Sequence, residues 1–207
     1  MLTIVDYGLG NILAFANVYK RANVPFTIAR TANELNDATK IILPGVGAFD
    51  HAMNLLDASG MRGKLDALVL DDKVPVLGIC VGMQILAGSS DEGNGRGLGW
   101  IDGKVRKFDV SRFVHETHLP HMGWNDVVPT RPDPLFAGLE KDGRFYFLHS
   151  FYFECASPGA ALATADYCGE FSCAVNAGNI YGVQFHPEKS HHFGTQLLTN
   201  FANATLC

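Results

Sequence analysis

The first eighty residues alternate short apolar segments with helical patterns, and this alternation limits the folds open to the chain. Leu2–Val5 has the length and composition of a buried strand, and residues 11–22 then place apolar side chains at helical spacing. Further elements of this pattern follow, with strands over 27–29, 40–43 and 74–80 and helices after Phe49 and over 62–70. Strands separated by helices form right-handed crossovers in a mainly parallel sheet. We therefore predict an α/β fold with a mostly parallel central sheet and helices on both faces.

The second half of the chain has strand patterns at short spacing, which favours antiparallel pairs. Residues 88–99 are rich in Gly, Ser and Asp and are predicted to form a surface loop that ends the regular alternation. The strands predicted beyond this loop are 104–108, 124–128, 145–149, 152–155, 161–165 and 180–185. A final helix carries one apolar stripe, formed by Phe193, Leu197, Leu198 and Phe201. No repeat or long linker divides the sequence, so we expect one domain over residues 1–207.

Composition argues against several classes of protein. With 207 residues, 47% of them hydrophobic and 18% charged, the chain is large enough to bury a core without disulfides or a structural metal. A formal net charge of -5 argues against nucleic acid or an anionic membrane as a partner. Neither a secretory signal nor a membrane span is predicted. Five cysteines, an odd number without CxxC spacing, indicate a cytoplasmic protein.

Cys80 has the surroundings of a nucleophile. It follows a buried strand and lies between Gly78 and Gly82, a pattern typical of a sharp strand-to-helix turn that exposes a nucleophile at the edge of a sheet. Glycine at both positions leaves room for backbone segments that approach closely. The positive end of the following helix would favour the thiolate. The other cysteines are predicted to be small packing residues: Cys155, Cys168, Cys173 and Cys207.

His186 and Glu188 are the candidate base and its orienting acid. They follow the apolar segment 180–185, and side chains two residues apart lie on the same side of an extended chain. Glu188 could then orient the imidazole and stabilise its charged form, while His186 exchanges a proton with the sulfur of Cys80. The sequence leaves open the alternative that this His-Pro-Glu segment is only a strand end with a solvated carboxylate.

A Gly-rich segment after the strand at 40–43 is a candidate oxyanion hole. A thiolate that attacks a carboxamide or an ester forms a tetrahedral oxyanion, which requires NH donors from closely approaching backbone. Pro-Gly-Val-Gly at 44–47 is predicted to lie at the carboxyl edge of the sheet, where open α/β folds place their sites. The candidate donors are the NH groups of Val46, Gly47 and Val81. An ordinary glycine-rich turn is the alternative.

Two other patterns are weak, and we predict neither a cofactor nor a metal. Gly8 and Gly10 lack the third glycine of a dinucleotide fingerprint, because position 13 is leucine. Three histidines recur at every third position, but Pro120 prevents a shared helix and no Cys or carboxylate beyond Glu116 has ligand spacing. We therefore predict surface histidines at His115, His118 and His121, and likewise at His191 and His192.

Two segments resemble the class I (triad) glutamine amidotransferases. They are Gly-Ile-Cys-Val-Gly-Met-Gln at 78–84 and Gln-Phe-His-Pro-Glu-Lys-Ser at 184–190. More narrowly, four further segments are similar to the glutaminase subunits of imidazole glycerol phosphate synthases: 6–11, 44–49, 120–125 and 146–150. The resemblance runs nearly end to end. Val81 departs from the more usual leucine, a change that preserves an NH donor.

The resemblance implies hydrolysis of L-glutamine to glutamate through a thioester on Cys80, with His186 protonating the departing ammonia. The glutamine-binding residues that it implies are Gly47, Gln84, Ser150 and Phe151. Ammonia would pass to a (β/α)8-barrel cyclase subunit in a heterodimer that serves histidine biosynthesis. The interface residues implied by similarity are Asn11, Trp124, Tyr146 and Lys189.

Three other functions stay open. The same chemistry could supply a cyclase-like partner that makes amidino sugars for bacterial surface polysaccharide, which Val81 and the loop segment 89–93 favour. A free-standing γ-glutamyl hydrolase would turn over without a partner, and the segment 120–125 argues against it. A catalytically inactive binding subunit is disfavoured by the complete Cys, His and Glu set.

Overall fold

The computed structural model describes residues 1–112, 118–167 and 169–205, and its centre is an eleven-stranded mixed sheet. The strands are β1 (Leu2–Val5), β2 (Phe26–Ala29), β3 (Lys40–Gly45), β4 (Val76–Cys80), β5 (Ser89–Ser90), β6 (Gly103–Lys107), β7 (His121–Asp126), β8 (Val128–Pro129), β9 (Arg144–His149), β10 (Phe151–Cys155), β11 (Ala161–Asp166), β12 (Glu170–Ala177) and β13 (Ile180–Val183). The α-helices are α1 (Ile12–Arg21), α2 (Phe49–Ala58), α3 (Arg62–Asp66), α4 (Val81–Gln84) and α5 (His191–Asn203).

The parallel half of the sheet has the strand order β2-β1-β3-β4-β13. Strands β1, β4 and β13 are buried at every position, as expected for strands covered on both faces. The chain moves in one direction from β1 through α1 to β2 and in the opposite direction from β3 through α2 to β4. Right-handed crossovers therefore place α1 and α2 on opposite faces, and α5 packs beside α1. The predicted α/β architecture is confirmed.

The antiparallel half continues through β12, β10 and β6, as the short spacing predicts. Strand β11 pairs with β12 and β8, while β7 and β9 form a separate two-stranded ribbon. Strand β12 was not predicted from the sequence, although Phe171, Cys173 and Val175 alternate with more polar residues along it. β12 joins the two halves, because it pairs with β13 on one side and β10 on the other.

Two sets of side-chain contacts join segments that are far apart in the sequence. The ammonium group of Lys40 on β3 donates to the carbonyl oxygens of Phe201, Ala202 and Ala204 at 2.8, 2.7 and 2.6 Å, and so caps the end of α5. The helix predicted over 62–70 changes into a π-helical turn at Ala67–Asp71. The amide of Asn179 donates there to the carbonyl oxygen of Val69 at 2.9 Å.

The described helices include none that is long and apolar enough to cross a membrane. The final helix buries Leu197, Leu198 and Phe201 as predicted, with Phe193 partly buried against the core. The carboxyl ends of β3, β4 and β13 meet at one edge of the sheet, where Gly45 lies in register with Cys80. This edge brings together the segments that the sequence singles out for chemistry.

Candidate active site

Cys80 lies at a strained turn between β4 and α4. Its φ of 56° and ψ of -114° are unusual for a residue with a side chain. The surrounding glycines have no space for a methyl group. A Cβ on Gly78 would lie 2.5 Å from the carbonyl oxygen of Gly82, and a Cβ on Gly82 would overlap the carbonyl oxygen of Leu43. The backbone of β4 thus passes against its own next turn, which projects the Cys80 side chain from the sheet edge.

The helix that follows Cys80, as the sequence predicts, is short. Helix α4 contains only the four residues Val81–Gln84, a single turn. Its dipole is therefore a small source of positive charge for a thiolate. The candidate positive partner is His186, whose imidazole shares the cavity wall with Cys80 and has its pKa raised by that residue and Glu188.

His186 is held between Cys80 and Glu188. Its Nδ1 atom lies 2.9 Å from Oε1 of Glu188, and the two side chains are 5% and 2% exposed. This contact leaves Nε2 for the sulfur of Cys80. The backbone NH of His186 donates to the carbonyl oxygen of Tyr146 at 2.8 Å, and the Ser190 hydroxyl donates to the His186 carbonyl oxygen at 2.7 Å. The backbone NH and the backbone carbonyl of His186 are thereby both hydrogen-bonded, which fixes the position of the residue.

The electrostatic surroundings raise the pKa of His186. Burial by itself would lower the pKa of His186, but the hydrogen bonds to Cys80 and Glu188 and the charges on both raise this pKa to about 10. A protonated imidazole beside a sulfur favours a thiolate–imidazolium pair. Such a pair combines a nucleophile with a proton for a leaving amine.

A cavity of about 300 Å³ lies above Cys80. Residues in its wall that the sequence predicts for catalysis or binding are Val46, Gly47, Cys80, Val81, Gln84, Ser150, Phe151, His186 and Lys189. The wall also contains Glu92, Pro120, Leu148 and His149. Glu188 lies behind His186, in the wall of a small neighbouring gap. The fold thus gathers residues from six separate parts of the chain around one sulfur.

Known proteins share both the sequence and the fold of this chain. The chain matches the family model described as glutamine amidotransferase class-I over residues 3–204. The chain belongs to the class I glutamine amidotransferases. It is 65% identical to the imidazole glycerol phosphate synthase subunit HisH of Bdellovibrio bacteriovorus, with 98% of this chain and 99% of that one covered. The HisH subunit of Leptospira interrogans is 55% identical, with 98% and 100% covered.

Solved structures agree on the fold of this amidotransferase. A crystal structure of a glutamine amidotransferase superposes with a TM-score of 0.75 at 18% identity, covering 98% of this chain and 99% of that one. The structure of PurLQS from Thermotoga maritima gives a TM-score of 0.72 at 17% identity, covering 98% and 97%. At these identities the structures support the α/β fold alone.

Glu92 of the amidotransferase is a cavity residue that was not predicted from the sequence. Its carboxylate accepts a hydrogen bond from the backbone NH of Phe49 at 2.8 Å. The same loop is tied to α2 by Asp50, which accepts from the NH groups of Asn94 and Gly95 at 3.0 Å each. The segment therefore keeps its acidic side chain at the cavity. The signal that could have indicated Glu92 is an acidic residue in a Gly-rich loop that follows Cys80 closely in the sequence.

Of the candidate interface residues of the amidotransferase, Lys189 lines the cavity, while Asn11, Trp124 and Tyr146 lie outside its wall. Trp124 on β7 is 38% exposed and stacks on His191 with ring centroids 5.2 Å apart. Tyr146 pairs with Trp124 in register, and the Lys189 ammonium lies 5.8 Å from the centre of the Tyr146 ring. Asn11 is exposed at the start of α1. Two further exposed apolar side chains extend this surface, Met122 at 64% and Leu148 at 37%.

The surface prediction for His121 is wrong. His121 is 3% exposed, and its Nδ1 atom lies 2.9 Å from Nε2 of His149. The residues of β7 alternate between the two faces of the ribbon, so His121 turns inward while Met122 turns outward. His118 is exposed, as are His191 and His192. His115 lies outside the described residues, as do Cys168 and Cys207, while Cys173 is buried and Cys155 half-buried.

The buried histidine pair predicts a loss of stability in mild acid. Burial lowers the pKa of His121 to about 4 and that of His149 to about 3, with His186 adding to the shift of His149. In the unfolded chain, histidine binds a proton near pH 6.5, so the unfolded state binds more protons below that pH. We expect the free energy of unfolding to have its full value above about pH 7. At pH 5 it should be lower by about 2 kcal/mol for each of the two histidines, because both folded-state pKa values lie below pH 5 and the unfolded pKa then sets the loss.

Urea unfolding at pH 7 and pH 5 measures this effect. Other titratable groups around the pair are His186 and Tyr167, whose ring stacks on His121 at 3.9 Å. His186 has a raised pKa, so its contribution to the free energy of unfolding is fully present below pH 6.5. That contribution is lost only as the pH rises toward 10. His121→Asn removes one titrating ring and should reduce the loss. Equal unfolding free energies at the two pH values would contradict the prediction.

Proposed function

We propose that the chain is the glutaminase subunit of an imidazole glycerol phosphate synthase. It hydrolyses L-glutamine to glutamate and supplies ammonia to a (β/α)8-barrel cyclase in a heterodimer of histidine biosynthesis. The observation that carries the proposal is that Cys80 and His186, the latter paired with the buried Glu188 at 2.9 Å, lie together in the wall of one cavity of about 300 Å³. The high identity to HisH subunits over nearly the whole chain supports the choice of pathway.

The proposed reaction has two halves. The sulfur of Cys80 attacks the side-chain carbonyl carbon of glutamine, and NH groups of Val46, Gly47 and Val81 bind the oxyanion. His186 donates its proton to the amide nitrogen of the substrate, and the C–N bond breaks. Ammonia departs, and a thioester remains on Cys80. Water then gives a proton to His186 and attacks the thioester carbon, so that the C–S bond breaks and glutamate is released. Glu188 orients the imidazole throughout.

The cavity also suits the other end of glutamine. The substrate carries an α-ammonium and an α-carboxylate besides its side-chain amide. Glu92 supplies a carboxylate at the cavity wall, a charged acceptor for the ammonium. Gly47, Gln84, Ser150 and Phe151 are the other proposed binding residues, and all of them line the same cavity.

Glu92→Gln is expected to raise KM for glutamine about tenfold to a hundredfold, with a smaller change in kcat. A charge-assisted hydrogen bond contributes about 1.5 to 3 kcal/mol, and the amide oxygen of Gln still accepts from Phe49. Steady-state glutamate formation measures the change. Asp91→Asn is the matched control, because Asp91 is the neighbouring acid but pairs with Lys104 at 2.7 Å. Equal KM values for wild type and Glu92→Gln would rule out this contact.

A partner is part of the proposal for a chemical reason. Ammonia released into water near neutral pH becomes ammonium, which is not nucleophilic, so an enclosed route preserves the reactive base. The exposed surface around Trp124, Tyr146, Lys189 and Asn11 is the proposed docking site for the cyclase. We place this one-domain subunit in the reducing cytoplasm, where the Cys80 thiol persists.

Glutamate formation by the full chain, alone and with the cyclase and its nucleotide ligand, tests the proposal. We expect weak hydrolysis alone, strong hydrolysis in the complex, and formation of imidazole glycerol phosphate together with an aminoimidazole carboxamide nucleotide. Full activity without a partner would instead identify a free-standing γ-glutamyl hydrolase. Co-purification of a cyclase-like protein that makes amidino sugars would reassign the pathway and keep the chemistry.

A further inference from the structure

A continuous chain of hydrogen bonds leads from β7 to the cavity. Asn125 Nδ2 lies 2.7 Å from the carbonyl oxygen of Asp166 and 3.3 Å from Nε2 of His121. Nδ1 of His121 lies 2.9 Å from Nε2 of His149, whose Nδ1 lies 2.7 Å from the carbonyl oxygen of Phe151. The proposed catalytic steps use neither histidine, although His149 lines the cavity wall.

The groups at the two ends of this series of hydrogen bonds determine which atom donates in each of them. A carbonyl oxygen only accepts, so His149 must donate from Nδ1 to Phe151, and its Nε2 is then an acceptor in the neutral ring. His121 must therefore donate from Nδ1, which leaves its Nε2 to accept from the NH2 group of Asn125. Each ring carries its proton on Nδ1, and every donor meets an acceptor.

The same carbonyl oxygen orients Gln84. Nε2 of Gln84 lies 3.2 Å from the Phe151 carbonyl oxygen and 3.1 Å from Oε1 of Gln184. Both NH hydrogens are therefore used, and the carbonyl end of the Gln84 amide faces away from them. Gln184 in turn points its Nε2 at the sulfur of Cys80, 3.8 Å away.

We propose that His121 and His149 are positioning residues, which set the Phe151 carbonyl and thereby turn the carbonyl oxygen of the Gln84 amide into the cavity as an acceptor for substrate NH groups. This inference rests on the proposed glutaminase function and deepens it. A site that presents an acceptor selects a carboxamide over a carboxylate, because glutamate has no NH on its side chain to donate. Aromatic packing holds the pair in place, since His121 stacks on Phe147 at 4.7 Å and on Tyr167 at 3.9 Å.

Nitrogen-15 NMR of the imidazole rings tests the direction of the chain without any assay of activity. We expect both His121 and His149 to be neutral at pH 7 with the proton on Nδ1. A proton on Nε2 of either ring, or a charged ring, would overturn the proposal. This readout stays decisive for the hydrogen-bond chain even if the wild type fails to hydrolyse glutamine, a result that would overturn the proposed function instead.

Two substitutions at one position separate positioning from simple packing. In His149→Asn the amide NH2 occupies the place of Nδ1 and keeps a donor toward Phe151. In His149→Gln the amide lies at the place of Nε2 and that donor is lost. We expect KM for glutamine to rise about tenfold in His149→Gln with a smaller change in kcat, and to stay within about threefold of wild type in His149→Asn.

Control variants complete the test. The same two replacements at the exposed His192 should leave both kinetic constants unchanged. Thermal unfolding of each variant shows whether the fold is kept. Equal KM values for His149→Asn and His149→Gln would overturn the proposal. If His149→Gln fails to fold, the NMR tautomers and the KM of His149→Asn still decide it, because a tenfold rise in KM for the Asn variant contradicts positioning through Nδ1.

Discussion

Replacing Cys80 by alanine is expected to lower glutamine hydrolysis by about 10⁴-fold or more. The reaction proposed for this site runs through a covalent thioester, and removing the nucleophile of such a group of residues removes almost all catalysis. Alanine has a Cβ like cysteine, so it meets the strain of a φ of 56° no worse than Cys80 does. Glutamate formation at saturating glutamine, with the cyclase partner present, measures the loss.

Cys155→Ala is the matched control for this variant. Cys155 is half-buried on β10, and its sulfur lies 3.8 Å from the Ser172 hydroxyl, outside the cavity wall. Its replacement should leave hydrolysis unchanged. Mass spectrometry of wild type quenched during turnover should find the glutamyl thioester on Cys80 alone. Hydrolysis that persists at the wild-type rate in Cys80→Ala would eliminate the proposed nucleophile.

Gly82→Ala is expected to prevent stable folding. The added Cβ would overlap the carbonyl oxygen of Leu43 and would lie 3.1 Å from the carbonyl carbon of Pro44. These are backbone atoms of β3, which cannot move without breaking the pairing between β3 and β4. We expect a cost of more than about 4 kcal/mol, a large part of the roughly 5 to 15 kcal/mol that stabilises a typical domain.

Soluble yield and urea unfolding measure the effect of Gly82→Ala. Gly63→Ala is the matched control, because Gly63 lies in α3 and a Cβ there meets nothing within 4 Å. Alanine is favoured over glycine in a helix, so this variant should gain about 0.5 to 1 kcal/mol. A wild-type unfolding midpoint for Gly82→Ala would show that the turn around Cys80 has more space than its geometry indicates.

The elements of the parallel half were predictable because their signals are local. Continuous apolar segments such as Leu2–Val5 bury both faces, and the helices between them show a period of 3.6 residues. Strand β12 was missed, although it alternates and glycines with positive φ, Gly169 and Gly178, flank it. The length of α4 was not predicted; its single turn ends where Leu86 and Ala87 bond back to Met83 and Gln84.

The candidate site was predictable where its chemistry requires a particular residue type within a short segment. Cys80 between two glycines, and His186 two residues before Glu188, are such cases. Glu92 and His149 were not predictable in the same way. Their placement depends on the Asp50 contacts to the loop and on the pairing of β7 with β9, which join residues far apart in the chain.

The sequence by itself determined the α/β class, the sharp turn around Cys80 and the resemblance of its motifs to an amidotransferase family. Each of these depends on the properties of neighbouring residues, which a linear sequence displays. Only the tertiary structure decided that His121 is buried beside His149, that Glu92 lines the cavity, and that the Gln84 amide donates to the Phe151 carbonyl. Burial and hydrogen-bond partners arise from the register of strands and from loops packed across the sheet edge, and these couple positions as far apart as Gln84 and Gln184, which are separated by 100 residues.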